Sequence, residues 1–414
     1  MIKTYLVGGA VRDELLKLPV KDKDWVVVGA TPEYMLSNGF TLVGQDFPVF
    51  LHPNTHEEYA LARTERKTHK GYTGFQVFSS PDITLEEDLA RRDLTINAIA
   101  KDADTGEIID PYQGLEDLTN GVLRHVSPAF VEDPVRILRL ARFAARFGFS
   151  IAPETLDLMK QMVADGEVDA LVPERVWQEL AKGLMERQPS LMIKALHECH
   201  ALEKILPEVA ALFGVPQREK YHPEIDTGIH TLMVIDMAAK MQLNLAQRFS
   251  ALVHDLGKAL TPKDILPGHN GHDKRGLIPL ENMVKRLKVP NECSDLAQLV
   301  VREHILLHSA FELTPKVALK ILAFCDAFRR PKRFTQALDV CIADIRGRLG
   351  KEDSPYPQYE HWLNLLKAAN SIHAKSIAQN TENPHDIAQN IFKARLEKLT
   401  PVQLEKKGHL NGHY

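Results

Sequence analysis

Two aspartates two positions apart, Asp22 and Asp24, open the apolar run Trp25-Val26-Val27-Val28, and a glycine pair, Gly8-Gly9, stands a short distance before them. Side chains alternate along a strand, so carboxylates two apart point the same way and can share a divalent cation. The apolar run Ile2 to Val7 predicts a strand and Ala10 to Leu16 a helix. That leaves the glycines as a turn whose backbone N–H groups can approach a phosphate. A phosphate cradle beside a carboxylate pair is the equipment of phosphoryl or nucleotidyl transfer. Either motif alone is usually a plain turn or a solvated strand edge; it is their occurrence in one strand-turn-helix-strand unit that carries meaning. The turn is not a P-loop, which needs Gly-Lys-Ser/Thr, nor a Gly-x-Gly-x-x-Gly dinucleotide loop.

A second cluster lies in Arg91-Arg92-Asp93, within a segment of helical character. Arginine forks bind phosphate oxygens bidentately, so Arg92 is expected on a triphosphate, with Asp93 orienting it. Further on, Asp133 fits a helix N-cap with Pro134 at the first helical position. Asp133, Arg136, Arg139 and Arg142 recur every third position and form one slanting polar stripe, each step about 60° backwards around the helix. Ile137, Leu138, Leu140, Ala141 and Ala144 supply the packed face. Cytosine and adenine both present an amine donor beside a ring-nitrogen acceptor, whereas uracil and guanine present a carbonyl beside an N–H. A carboxylate next to a guanidinium, Asp133 with Arg136, matches the first pattern and mismatches the second. Such buried polar sites discriminate by factors on the order of 10⁴. Arg139 and Arg142 would reach the triphosphate from the same stripe.

A third constellation is rich in metal-ligand types. His230 begins a helical segment, His254 and Asp255 are adjacent, and Asp344 follows in another helix. Imidazole and carboxylate groups converging from several helices suit a transition metal or Mg²⁺. His272, in a Gly-flanked loop, and His304 with His308, one helical turn apart, form a candidate second metal set.

These residues need a scaffold of more than one core, because 414 residues predict two or three domains. The first stretch, to about Asp110, alternates short β-branched runs with Gly and Pro punctuation and reads as α/β or α+β. From about Asp133 onward apolar residues recur at three- and four-residue spacing, which predicts helices throughout. The boundaries expected are a head over 1–132, a helical neck and body over 133–215, a metal-binding domain over 216–350 and a helical extension over 351–414. The segment Arg63 to Gly74 reads as a mobile basic loop. A net charge of −4 carries no global nucleic-acid signal, so RNA contacts must come from local basic surfaces. Four scattered cysteines without a Cys-x-x-Cys pair and the lack of a leader or an apolar run of membrane length predict a cytoplasmic protein.

In order and spacing, Gly-Gly-x-x-Arg-Asp, Asp22-x-Asp24, Arg91-Arg92-Asp93-Leu94-Thr95-x-Asn97-Ala98 and Glu132-Asp133-x-x-Arg136-x-x-Arg139 resemble the class II tRNA nucleotidyltransferases, whose head is shared with bacterial poly(A) polymerases. The resemblance implies an α+β fold: a small β-sheet nucleotidyltransferase head followed by an all-helical neck, body and tail. It implies CTP and ATP as substrates, the tRNA 3′ end as acceptor and no template. On that mapping Gly9 and Arg12 contact the nucleotide, Asp22 and Asp24 hold Mg²⁺, and Arg92, Arg139 and Arg142 bind the triphosphate. Glu57 and Glu58 are both candidates for a third carboxylate. Residues 228 to 330, with Asp344 just beyond, resemble HD-domain phosphohydrolases. In this family an intact HD tail implies phosphatase, 2′-nucleotidase and 2′,3′-cyclic phosphodiesterase activities with Ni²⁺ or Mg²⁺, in a monomer or homodimer. The rival readings are a poly(A) polymerase, and an HD hydrolase with a degenerate RNA-binding head.

Overall fold

Alternation governs the first strand, β1 (Lys3–Val7). Tyr5 and Val7 enter one core with Val26, Leu89, Ala98 and Ala100, while Leu6 packs with Ala10, Val11 and Ile99 in another. A strand buried on both faces belongs inside a sheet. In the computed structural model, which describes residues 1–43, 49–67 and 75–405, β1 is a central strand of seven. The other strands of the head are β2 (Asp24–Val28), β3 (Thr41–Val43), β4 (Val49–Leu51), β5 (Glu58–Leu61), β6 (Arg63–Lys67), β7 (Phe75–Ser79), β8 (Ala100–Asp102) and β9 (Ile108–Ile109). The sheet runs β3-β4-β5-β2-β1-β8-β9, with β2 and β5 parallel and every other neighbouring pair antiparallel. Strands β6 and β7 form a separate antiparallel pair. The basic segment expected as a loop therefore begins as strand β6; its residues 68–74 lie outside the described residues.

Two further expectations are adjusted. The glycine turn leads into helix Gly9–Leu15, one residue earlier than expected. Strand β2 begins at Asp24, so Asp22 lies before the strand rather than within it.

From Val135 the described chain is helical apart from the two-residue strand Ser150–Ile151, paired with Val122–Leu123. The protein has two compact units, Met1–Ile205 and Leu206–Tyr414. In the first, helix Val135–Phe147 packs on helices Pro173–Leu184 and Ser190–Glu198. In the second, helix Leu245–Val253, buried from Ala246 onward, packs among Thr227–Lys240, Asn291–His308 and Pro331–Arg346. Helices Gln358–Asn370 and Ile387–Glu405 pack on each other. No helix of the described residues is long and apolar enough to cross a membrane.

Candidate active sites

The β1–β2 register pairs Val7 with Asp24, which sets the glycine turn beside the first carboxylate. Gly8 has φ +70°, and a Cβ there would lie 2.7 Å from Arg92 Nη1. The positive φ favours glycine, and a side chain there would have to displace Arg92. Gly8 and Gly9, Arg12, Asp22, Asp24, Arg92, Asp133, Arg136, Arg139 and Arg142 all line one cleft of about 900 Å³. The glycine turn, the aspartate pair, Arg92 and the helix stripe singled out in the sequence thus face one cleft.

Burial, and then the like charge of Asp22, push the Asp24 carboxyl upward against the pull of Arg92. A divalent cation beside Asp24 and Asp22 would relieve that repulsion. Across β2 and β5 Asp24 is in register with Glu58, which faces the cleft. Glu57 is turned away, accepting from Trp25 Nε1 at 2.9 Å and lying 3.6 Å from Lys23 Nζ. Of the two candidates for a third carboxylate, Glu58 has the position.

The arginines are held by partners that differ from those expected. Asp93 does not orient Arg92; it accepts from Arg139 Nε at 2.8 Å and Asn97 Nδ2 at 3.0 Å. Burial alone would raise its pKa, but these two partners outweigh that and hold it far below the carboxylate range. Arg92 lies instead 3.6 Å from the buried Asp88. Arg12 donates to Asp13 and Asn97 and stacks 5.0 Å from the ring centres of Phe143 and Phe147. Arg142 donates to Glu179 at 2.7 Å.

The helix stripe starts as expected: Asp133 is extended, Pro134 helical, and Asp133 Oδ1 accepts from Val135 N at 3.0 Å. Asp133 and Arg136 do not pair with each other, however. Arg136 donates to the carbonyls of Ala129 at 2.8 Å and Arg91 at 2.6 Å, while Asp133 takes both forks of Arg175. The cap turns Asp133 onto the helix end, and Arg136 reaches back over the turn Pro128–Glu132.

The tail gathers a second group. His230 Nε2 lies 3.1 Å from Asp344 Oδ1, His254 Nε2 3.1 Å from Asp255 Oδ2, and His272 Nε2 3.2 Å from Asp255 Oδ1. Three ligand sets result among the described residues: His230, His254 and Asp344; Asp255, His272 and His304; and His222, Glu224 and His230. His230, His254, Asp255 and Asp344 are all buried, and His230 Nδ1 lies 2.9 Å from Glu224 Oε1. Imidazole and carboxylate groups buried together at ligand spacing fit a bound metal ion. Burial pushes His304 down to about 3, which keeps it the neutral imidazole that ligation requires. His308 stands outside these sets. Although it shares a helix face with His304, its Nε2 meets Asp344 Oδ2 at 2.8 Å and its Nδ1 meets Tyr356. His272 sits in a one-turn helix, His272–Arg275, rather than in a loop.

Residues 4–124 match the poly A polymerase head domain, 148–213 the probable RNA and SrmB-binding site of polymerase A, and 227–345 the HD domain. A multifunctional CCA protein of Neisseria gonorrhoeae is 62% identical over 410 residues, 98% of this chain and 100% of that protein. The chain belongs to the multifunctional CCA protein family. It is an enzyme with a nucleotidyltransferase head and an HD-domain tail, and both domain types depend on divalent metal. The fold is that of the Thermotoga maritima CCA-adding enzyme complexed with tRNA, with a TM-score of 0.65 at 21% identity over 99% of this chain and 92% of that one. A CCA-adding enzyme complexed with CTP gives a TM-score of 0.65 at 22% identity over 100% of this chain and 92% of that one.

Sequence reasoning missed three residues that hold the groups of this cleft: Asp88, Arg175 and Glu179. Arg175 and Glu179 carried a signal, since they are four apart on a helix opened by Pro173 and so share one face. Asp88 is indistinguishable in sequence from its neighbours Glu86 and Glu87.

Proposed function

We propose that the head adds CCA to the tRNA 3′ end from CTP and ATP, without a template and with release of pyrophosphate. The carrying observation is the shared cleft, with Asp22 just ahead of the sheet, Asp24 and Glu58 on it and Asp133 with Arg136 on the helix stripe. Asp22 and Asp24 are the residues to hold Mg²⁺, which when bound makes the attacking 3′-hydroxyl more acidic and neutralises charge on the α-phosphate. Arg12, Arg92, Arg139 and Arg142 bind the triphosphate, already oriented by Asn97, Asp88, Asp93 and Glu179. Gly9 offers its backbone N–H at the start of the helix. Asp133 accepts from the exocyclic amine of C or A and Arg136 donates to the ring nitrogen, a pattern that U and G reverse.

The tail hydrolyses terminal phosphates of RNA, as a phosphatase, 2′-nucleotidase and 2′,3′-cyclic phosphodiesterase, and so clears blocked ends for the head. His230, His254, Asp255 and Asp344 are the residues to hold Ni²⁺ or Mg²⁺, with His272 and His304 available for a second ion. A cytoplasmic location accords with four buried cysteines, all free thiols.

The decisive experiment incubates tRNA ending before CCA with each nucleotide separately and then with CTP and ATP together. Addition of C from CTP alone, and of A only after it, is expected. A poly(A) polymerase leaves this RNA unextended with CTP alone. Incorporation of U or G at rates comparable to C and A would overturn base selection by Asp133 and Arg136.

A further inference from the structure

A cavity of about 1350 Å³ borders the HD cluster, its lining including Gln217, His222, Lys258, His272, His308 and Arg348. Gln217 is 3% exposed, and its Oε1 accepts from Lys258 Nζ at 2.6 Å. An ammonium only donates, so this contact fixes which end of the amide faces the lysine. The other end, Nε2, is therefore an N–H donor, and it is buried with no hydrogen-bond partner among the described residues. Lys258 Nζ also lies 2.6 Å from Asp255 Oδ2, and Arg348 Nη2 donates to Asp344 Oδ1 at 3.2 Å while its Nε is buried without a partner. Two cations thus flank the ligand carboxylates, and two buried N–H donors remain unspent. Burying a donor unpaired costs about as much as losing a hydrogen bond. A ligand rich in acceptors would repair both.

We propose that Gln217, Lys258 and Arg348 form a phosphate cradle, and that the apolar outer wall takes the nucleoside of the same molecule. The two unspent N–H donors, on Gln217 and Arg348, together with the positive charge of Lys258 and Arg348 favour an anion, and tetrahedral phosphate oxygens can accept from both donors. Beyond the cradle the cavity is lined by Ile305, Leu306, Phe311 and the 52% exposed Tyr221. Aromatic and aliphatic surface of this kind accepts any base by stacking. The ligand class is a nucleoside phosphate ester, held by its phosphate and tolerant of the base. Gln217 is here a specificity-determining residue, reached from the sequence by no motif. The inference rests on the tail's proposed activity toward RNA-terminal phosphates, and names the residues that hold the phosphate.

The test uses the full-length, metal-loaded enzyme and 2′-AMP, with adenosine as the phosphate-free control. Gln217→Glu keeps the acceptor for Lys258 but sets a carboxylate where Nε2 stood. Gln217→Met removes both ends and guards against a folding defect peculiar to one variant. Calorimetric titration is expected to show 2′-AMP bound about tenfold more weakly by Gln217→Glu, a smaller loss with Gln217→Met, and adenosine binding unchanged. Metal content and CCA addition should match wild type in both. Undiminished 2′-AMP affinity, equal loss for adenosine, or no binding of 2′-AMP by wild type would each overturn the cradle. Should wild type bind 2′-AMP through Gln217 yet hydrolyse no phosphate ester, the cradle stands and the proposed hydrolase activity falls.

Discussion

Arg175 grips Asp133 through both carboxylate oxygens, with Nη1 3.3 Å from Oδ1 and Nη2 2.9 Å from Oδ2. A carboxylate held at two points cannot rotate to suit a different base, so Arg175 is a positioning residue for nucleotide selection. Arg175→Met is expected to lower kcat/KM for CTP and ATP by about 10- to 100-fold, the scale typical of lost supporting contacts, and to raise the fraction of U and G incorporated. Arg175→Lys keeps the charge without the fork and should restore rate better than selectivity. Single-nucleotide incorporation with each triphosphate reads both quantities. Unaltered selectivity in Arg175→Met would remove the positioning role.

What was legible in the sequence was local. The glycine turn, the aspartate pair, the Asp133 cap and the His254-Asp255 pair each lie within a few residues, where strand alternation and helix pitch decide geometry. What escaped was pairing at a distance. Asp93 and Arg139 are 46 residues apart, and Asp133 and Arg175 are 42 apart. No periodicity within one element links such partners, because packing of helix on helix brings them together. The same limit explains His308, which belongs by pitch with His304 and by packing with Asp344.

Gly8→Ala should separate backbone strain from site chemistry. The positive φ costs a residue with a Cβ about 1–2 kcal/mol, and the new methyl would meet Arg92 Nη1, the far end of a flexible side chain. The clash is therefore relieved by displacing Arg92 from the cleft. A modest fall in denaturation midpoint is expected together with at least a tenfold loss of CCA addition, while hydrolysis by the tail is unchanged. Loss of both activities in a folded variant would point to a global defect instead.

The two metal sites should be separable. Asp22→Ala is expected to abolish CCA addition and spare phosphate hydrolysis, and His254→Ala with Asp255→Ala to do the reverse. The tail cluster also predicts a stability effect, since an ion bound only by the folded state stabilises it by mass action. Chelation should lower the thermal midpoint of wild type more than that of the His254→Ala, Asp255→Ala variant. Equal chelator sensitivity in the two proteins would place the stabilising ion elsewhere.

Asp93 makes a prediction about acid. Burial opposes its ionisation, but Arg139 and the Asn97 and Arg139 hydrogen bonds depress its pKa well below the ordinary carboxylate value. A depressed folded pKa means the unfolded chain takes up the proton first, at about pH 3.9. The stabilisation from Asp93 is thus complete above that pH and drains away as pH falls from there toward the lower folded value. Asp93→Asn removes the titrating group and leaves Arg139 without its carboxylate, so it should be less stable than wild type at pH 7. Its urea midpoint should then fall less steeply than that of wild type between about pH 4 and pH 2, and the two curves should converge in acid. Parallel curves over that range would show that Asp93 contributes no pH-dependent stability to the head.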